Sequence, residues 1–200
     1  MISSTTPQRA YRGQWFSFFL AVVSFVVLLP KVLNSETFEQ PTPLNVTAPE
    51  FVGGPWLNTT GGHPISLASL RGKVVVVHFW TYGCYNCQNN LPVYARWYKQ
   101  FAGKDVVIVG IHTPETTTER NDTNVEKHIR SFKIEYPVLL DQSETNWRRW
   151  QQQYWPTVYL IDRQGKIRFR WIGELNYGSN QGEAKIAQLI EELLMEHTQN

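Results

Sequence analysis

The chain has 200 residues, enough for one domain with a substantial core and a short appendage. Its 19 basic and 17 acidic residues are dispersed and leave a formal net charge of +2, which gives no support to a nucleic acid partner. Both cysteines lie in one C-x-x-C, so a secreted disulfide scaffold is excluded.

Residues 1–14 carry Arg9 and Arg12, and residues 15–33 are dominated by apolar side chains from Trp15 to Leu29, then Pro30, Lys31, Val32 and Leu33. As a helix this second stretch would reach about 28 Å, close to the hydrocarbon thickness of a bilayer. Its strictly apolar part also has the size of a signal-peptide core. No small-x-small cleavage site follows, nor a nearby cysteine that could take a lipid, which favours an uncleaved signal anchor over a cleaved signal. The positive-inside tendency then makes 1–14 a cytoplasmic tail and puts the rest across the membrane, in a periplasm or equivalent lumen. Residues 34–49, with Pro41, Pro43 and Pro49, read as an extended linker with a reach of about 50 Å. The Asn-x-Thr sequences at Asn45, Asn58 and Asn121 are taken as chance.

Residues 50–200 form the expected domain. A short hairpin is predicted over Phe51–Leu67, turning at Gly61-Gly62. Val74–Trp80 (VVVVHFW) suits a strand buried on both faces, with Val74, Val76, His78 and Trp80 on one side. From Cys84 the apolar residues Leu91, Tyr94, Ala95, Tyr98 and Phe101 recur at helical spacing. Asp105–Ile111 reads as a second buried parallel strand ending at His112, and Asn124–Lys133 as a helix. Tyr136–Leu140 is a short strand. Glu144–Tyr154 reads as a helix with Trp147, Trp150 and Tyr154 on one face. Val158–Ile161 and Lys166–Gly173 form a hairpin around Asp162 and Gly165, and Gly182 begins a closing amphipathic helix.

The two cysteines therefore stand where a central strand ends and a helix begins. Separated by two residues, they lie about one turn apart with their sulfurs in disulfide reach. At a helix N-terminus the first sulfur meets unpaired N–H groups and the positive end of the dipole, both of which favour thiolate. Cys84 is the expected nucleophile and Cys87 the resolving thiol that closes the internal disulfide. A static disulfide over so short a loop would constrain the unfolded chain little. No further cysteine or suitably spaced histidine pair completes a zinc site, so no metal is expected.

APEFVGGPW, SLASLRGKVVVVHFWTYGCYNC, Pro92, GIHTPE and NWRRWQQQYWPTVYLIDRQGKI together resemble the thioredoxin superfamily. Within it they resemble the membrane-anchored TlpA/ResA-type and DipZ C-terminal-type thiol–disulfide oxidoreductases, over roughly Ala48 to Leu194. The resemblance implies an α/β thioredoxin-like fold, a central mixed sheet flanked by helices, here preceded by one transmembrane helix. It implies protein thiol or disulfide substrates, a membrane electron donor, reduction more than bulk oxidation, and no cofactor. Apocytochrome c maturation and repair of mis-oxidised cysteines are among the tasks it suggests. It makes Pro156 a cis-proline facing the cysteines, with Trp155 and Tyr85 lining a groove for an extended peptide. His78 occupies the position of thioredoxin's buried acid. It is either a core histidine or a proton relay for Cys87. Glu115 and Glu174 are candidate acids nearby, His112 is undecided, and His63, His128 and His197 are expected at the surface.

Three departures from relatives stand out: Asn90 where some ResA-type members have glutamate, Gly83 in place of thioredoxin's tryptophan, and Tyr85-Asn86 in place of its Gly-Pro. Two other functions use this fold. A peroxiredoxin-like peroxidase would carry Pro-x-x-x-Thr-x-x-Cys; Thr81 fits, but Val77 holds the proline position. A copper-binding module would use a wider cysteine spacing and a distant histidine, for which His112 is the candidate.

Overall fold

The computed structural model describes residues 44–196. The expected tail and anchor, most of the linker, and residues 197–200 with His197 lie outside the described residues. Among the described residues no helix is long and apolar enough to cross a membrane. In chain order the strands are β1 (Val46–Thr47), β2 (Trp56–Leu57), β3 (Val74–Trp80), β4 (Val106–His112), β5 (Val138–Leu140), β6 (Thr157–Ile161) and β7 (Lys166–Ile172). The helices are α1 (Tyr85–Gln100), α2 (Asp122–Ser131), α3 (Thr145–Arg149) and α4 (Gly182–Met195).

The strands form one mixed sheet in the order β1-β7-β6-β3-β4-β5-β2. β3 lies parallel to β4 and antiparallel to β6, and β4 lies parallel to β5. All seven residues of β3 are buried, as its unbroken β-branched run requires for a strand covered on both faces. Val74, Val76 and Trp80 pack with Tyr94 and Trp97 of α1, Ile129 of α2, and Ile186 and Ile190 of α4. Val75, Val77 and Phe79 face the other way, onto Phe51, Trp56, Trp150 and Tyr159. Alternation along one strand thus divides the core into two layers.

Four boundaries differ from expectation. β1 pairs with β7 and Ala48 is buried, so the sheet takes in the end of the stretch expected as linker. The hairpin over 51–67 does not form. Trp56–Leu57 pairs with β5 instead, and the Glu50 carboxylate accepts from the N–H groups of Leu67 and Ala68. The helix expected over Glu144–Tyr154 is only the five residues of α3. Asp141 caps its start, accepting from Asn146 N (3.0 Å) and Trp147 N (2.9 Å), and Gln151 at φ 52° turns the chain out of the helix. Trp150 is therefore buried while Tyr154 is exposed. α2 begins two residues earlier than expected because Asn121 caps it, accepting from Asn124 N (3.1 Å).

The β6–β7 turn forms as expected. Asp162 Oδ1 accepts from the N–H of Gln164 (3.0 Å) and Lys166 (2.8 Å), while Gly165 takes φ 77°.

Candidate active site

β3 delivers the chain to the carboxyl edge of the sheet, and Thr81–Gly83 turns it into α1. Cys84 is the N-cap residue of α1, and its Sγ accepts from Cys87 N at 3.1 Å. In the described state the two cysteines form a disulfide, with Cα atoms 5.2 Å apart. Cys84 is partly exposed whereas Cys87 is fully buried. A partner can therefore reach only the first sulfur, the one beside the helix N–H groups. Tyr85, between them, is 72% exposed.

The turn before Cys84 is held from several sides. Thr81 Oγ1 lies 3.3 Å from His112 Nε2, Gln88 Nε2 donates to Tyr82 O at 2.8 Å, and Gly83 N donates to Glu119 Oε1 at 3.0 Å. Tyr82 stacks on His128 with ring centroids 3.9 Å apart. Glu119 is buried, and its other oxygen accepts from Glu115 N (2.7 Å) and Thr116 N (2.8 Å). Burial alone would raise its pKa; the N–H groups of Thr116, Glu115 and Gly83 and the Thr81 hydroxyl outweigh it and hold the carboxyl below its usual range. A Cβ at residue 83 would collide with Glu119 Oε1, which explains the glycine where thioredoxin has a large side chain.

The acid that meets the site is thus Glu119. Glu115, expected as a candidate relay, has an exposed side chain and supplies only its N–H to Glu119. The signal for Glu119 was the capping box Thr116-x-x-Glu119, which the structure forms around a 3-10 turn. Glu174 accepts from Asn89 Nδ2 at 3.0 Å at the surface.

His78 is fully buried and its ring stacks on Tyr94 of α1 at 4.0 Å. Burial depresses its pKa to about 3, so the imidazole is neutral and a weak base at physiological pH. Neither ring nitrogen has a hydrogen-bond partner among the described residues. His112 is also buried; burial lowers it to about 4 against the opposing charge of Glu119. Its Nε2 points to Thr81. His63 is exposed, as expected, whereas His128 is half-buried against Tyr82.

Pro156 follows a cis peptide bond from Trp155. Pairing of Thr157 with Phe79 sets Pro156 beside the end of β3, at the same sheet edge as the cysteines. Its carbonyl accepts from Gly173 N at 2.8 Å. Trp155 stacks on Trp147 at 3.9 Å and is half-buried. Asn90, one turn past Cys87, is buried and bonded to residues 173 and 175. Among the described residues no group of three His, Cys, Asp or Glu side chains could hold a metal ion.

Comparison with known proteins agrees with this arrangement. Residues 44–170 match the model of the AhpC/TSA family. Protein DipZ of Mycobacterium tuberculosis is 41% identical over 145 residues, which are 72% of this chain and 21% of DipZ, so the chain spans about a fifth of that relative. The thiol-disulfide oxidoreductase ResA of Bacillus subtilis is 32% identical over 120 residues, 60% of this chain and 62% of ResA. A solved structure from Chlorobium tepidum, described as a thiol:disulfide interchange protein DsbE, shares the fold with a TM-score of 0.65 at 21% identity, covering 76% of this chain and 97% of its own. The chain belongs to the AhpC/TSA family and has a thioredoxin-like fold, and over most of its described length it is similar to DipZ and ResA.

Proposed function

We propose that this protein is a membrane-tethered reductant of protein disulfides, anchored by residues 15–33 with its catalytic domain outside the cytoplasm. The observation that carries the reading is Cys84 at the cap of α1, reachable from solvent, with Cys87 buried one turn behind it. In the reduced protein the Cys84 thiolate attacks one sulfur of a substrate disulfide. That S–S bond breaks, the departing substrate thiolate takes a proton, and a mixed disulfide forms on Cys84. Cys87 then loses its proton and attacks Cys84 Sγ, releasing the second substrate sulfur as a thiol. The substrate gains two electrons and two protons, and the protein is left with the Cys84–Cys87 disulfide. A dithiol donor at the membrane resets the pair. Tyr85, Trp155 and Pro156 line the groove for the substrate chain.

The arginines before the apolar stretch support the orientation, and the resemblance to ResA and DipZ supports the class of partner. The peroxidase alternative is disfavoured: Thr81 is buried and turned to His112, and the position needing proline is Val77, inside β3. In cells, Cys87→Ala is expected to accumulate mixed disulfides between Cys84 and extracytoplasmic proteins, released by dithiothreitol and identified by mass spectrometry. Absence of any protein adduct, with rapid peroxide consumption by the purified protein, would replace this reading with the peroxidase one.

A further inference from the structure

The two walls of the proposed substrate groove come from different parts of the chain: α1 brings Cys84, and the turn before β6 brings Pro156. What fixes one against the other is a buried amide. Asn90 Nδ2 donates to Gly173 O (3.1 Å), and Asn90 Oδ1 accepts from Leu175 N (2.9 Å). Gly173 N donates in turn to Pro156 O (2.8 Å). An unbroken series of hydrogen bonds thus runs from the second turn of α1, through residues 173–175, to the carbonyl of Pro156. Asn90 is 2% exposed and Leu175 fully buried, so water cannot replace the amide. At the surface Asn89 adds a second link, through Glu174.

We propose that Asn90 is a positioning residue that sets the width of the substrate groove, and so determines how tightly the site holds a polypeptide disulfide. This rests on the disulfide exchange proposed above. The partners fix the amide's orientation, because Gly173 O needs a donor and Leu175 N an acceptor. A carboxylate of the same shape satisfies both only when protonated, its O–H turned to Gly173 O. Ionised, it sets one oxygen against another. Asparagine makes both bonds at every pH.

The test uses the full chain in detergent, pre-reduced and mixed in single turnover with an excess of a fluorescence-quenched peptide disulfide between pH 5 and 8. Half-saturation concentration and limiting rate are read separately. Cys84 alkylation by iodoacetamide, too small to need the groove, is followed in parallel. Wild type over the same range accounts for Glu174 on the facing loop and Tyr94 on the next turn of α1. Asn90→Asp is expected to raise half-saturation at least tenfold over wild type at pH 8 and to return within threefold of it at pH 5. Asn90→Ala should be raised throughout, and alkylation should stay within threefold of wild type in both. If Asn90→Ala fails to fold, the pH-dependent recovery of Asn90→Asp carries the test alone. An Asn90→Asp-to-wild-type ratio that does not change with pH, or an equal loss in alkylation, overturns the proposal. A wild type that leaves the peptide disulfide intact instead overturns the proposed function, and this inference with it.

Discussion

At the scale of single residues, the Glu119 carboxylate collects N–H groups from the turn before Cys84 and from the loop after β4. Its removal leaves Gly83, Glu115 and Thr116 without their acceptor. Glu119→Ala should cost about 2–4 kcal/mol, the worth of one or two hydrogen bonds to a charged group, with the remaining donor regaining water. Urea unfolding at pH 7 measures this, and a loss below about 0.5 kcal/mol would mean that the carboxylate holds nothing in place. His78 shows the opposite use of a titratable group. It stands at the position considered for a proton relay, where its ring stacks on Tyr94 and burial keeps it neutral.

At the scale of elements, β3 and β4 depend on one small residue. Gly110 pairs with His78 across the two strands. A Cβ there would lie 3.0 Å from His78 Nε2 and 3.1 Å from Trp80 Nε1, both inside the sheet–helix layer. Gly110→Ala is expected to destabilise by about 1–3 kcal/mol, the range for overpacking a tight core, at an unchanged denaturant slope. A neutral result would show that the two rings can shift. The elements that the sequence placed well carry long local signals: the valine run of β3, the Asp-x-x-Gly turn between β6 and β7, the apolar stripe of α4. Those it misplaced are set by distant partners. β1 and β2 have two residues each, too few for any periodicity, and each finds its place only through a strand far along the chain. α3 is started by a buried aspartate and ended early by a left-handed glutamine. The same holds at the site. The cysteines and Pro156 were readable from local pattern and resemblance, but the tie of Asn90 to Leu175, 85 residues on, was not.

At the scale of the whole molecule, the buried groups make stability depend on pH in one direction. His78 and His112 ionise near 6.5 when unfolded but only at about 3 and 4 when folded. As pH falls below 6.5 the unfolded chain takes up protons that the folded one refuses, so stability falls. The loss is about 2 kcal/mol per histidine by pH 5. Glu119, also depressed, adds to the loss as pH falls through the ordinary carboxylate range. The urea midpoint should therefore fall steadily from pH 7 to pH 5, and His78→Phe should remove about half of that slope. A midpoint independent of pH over this interval would place both histidines in contact with water.

The claim that everything else depends on is that the seat of Cys84 at the opening of α1 makes its thiol acidic. In reduced Cys87→Ala protein, the rate of Cys84 alkylation followed against pH reports this directly. The account predicts a midpoint at or below about 7, well under the value of about 8.5 for an unperturbed cysteine. A midpoint at or above about 8.5 would contradict it.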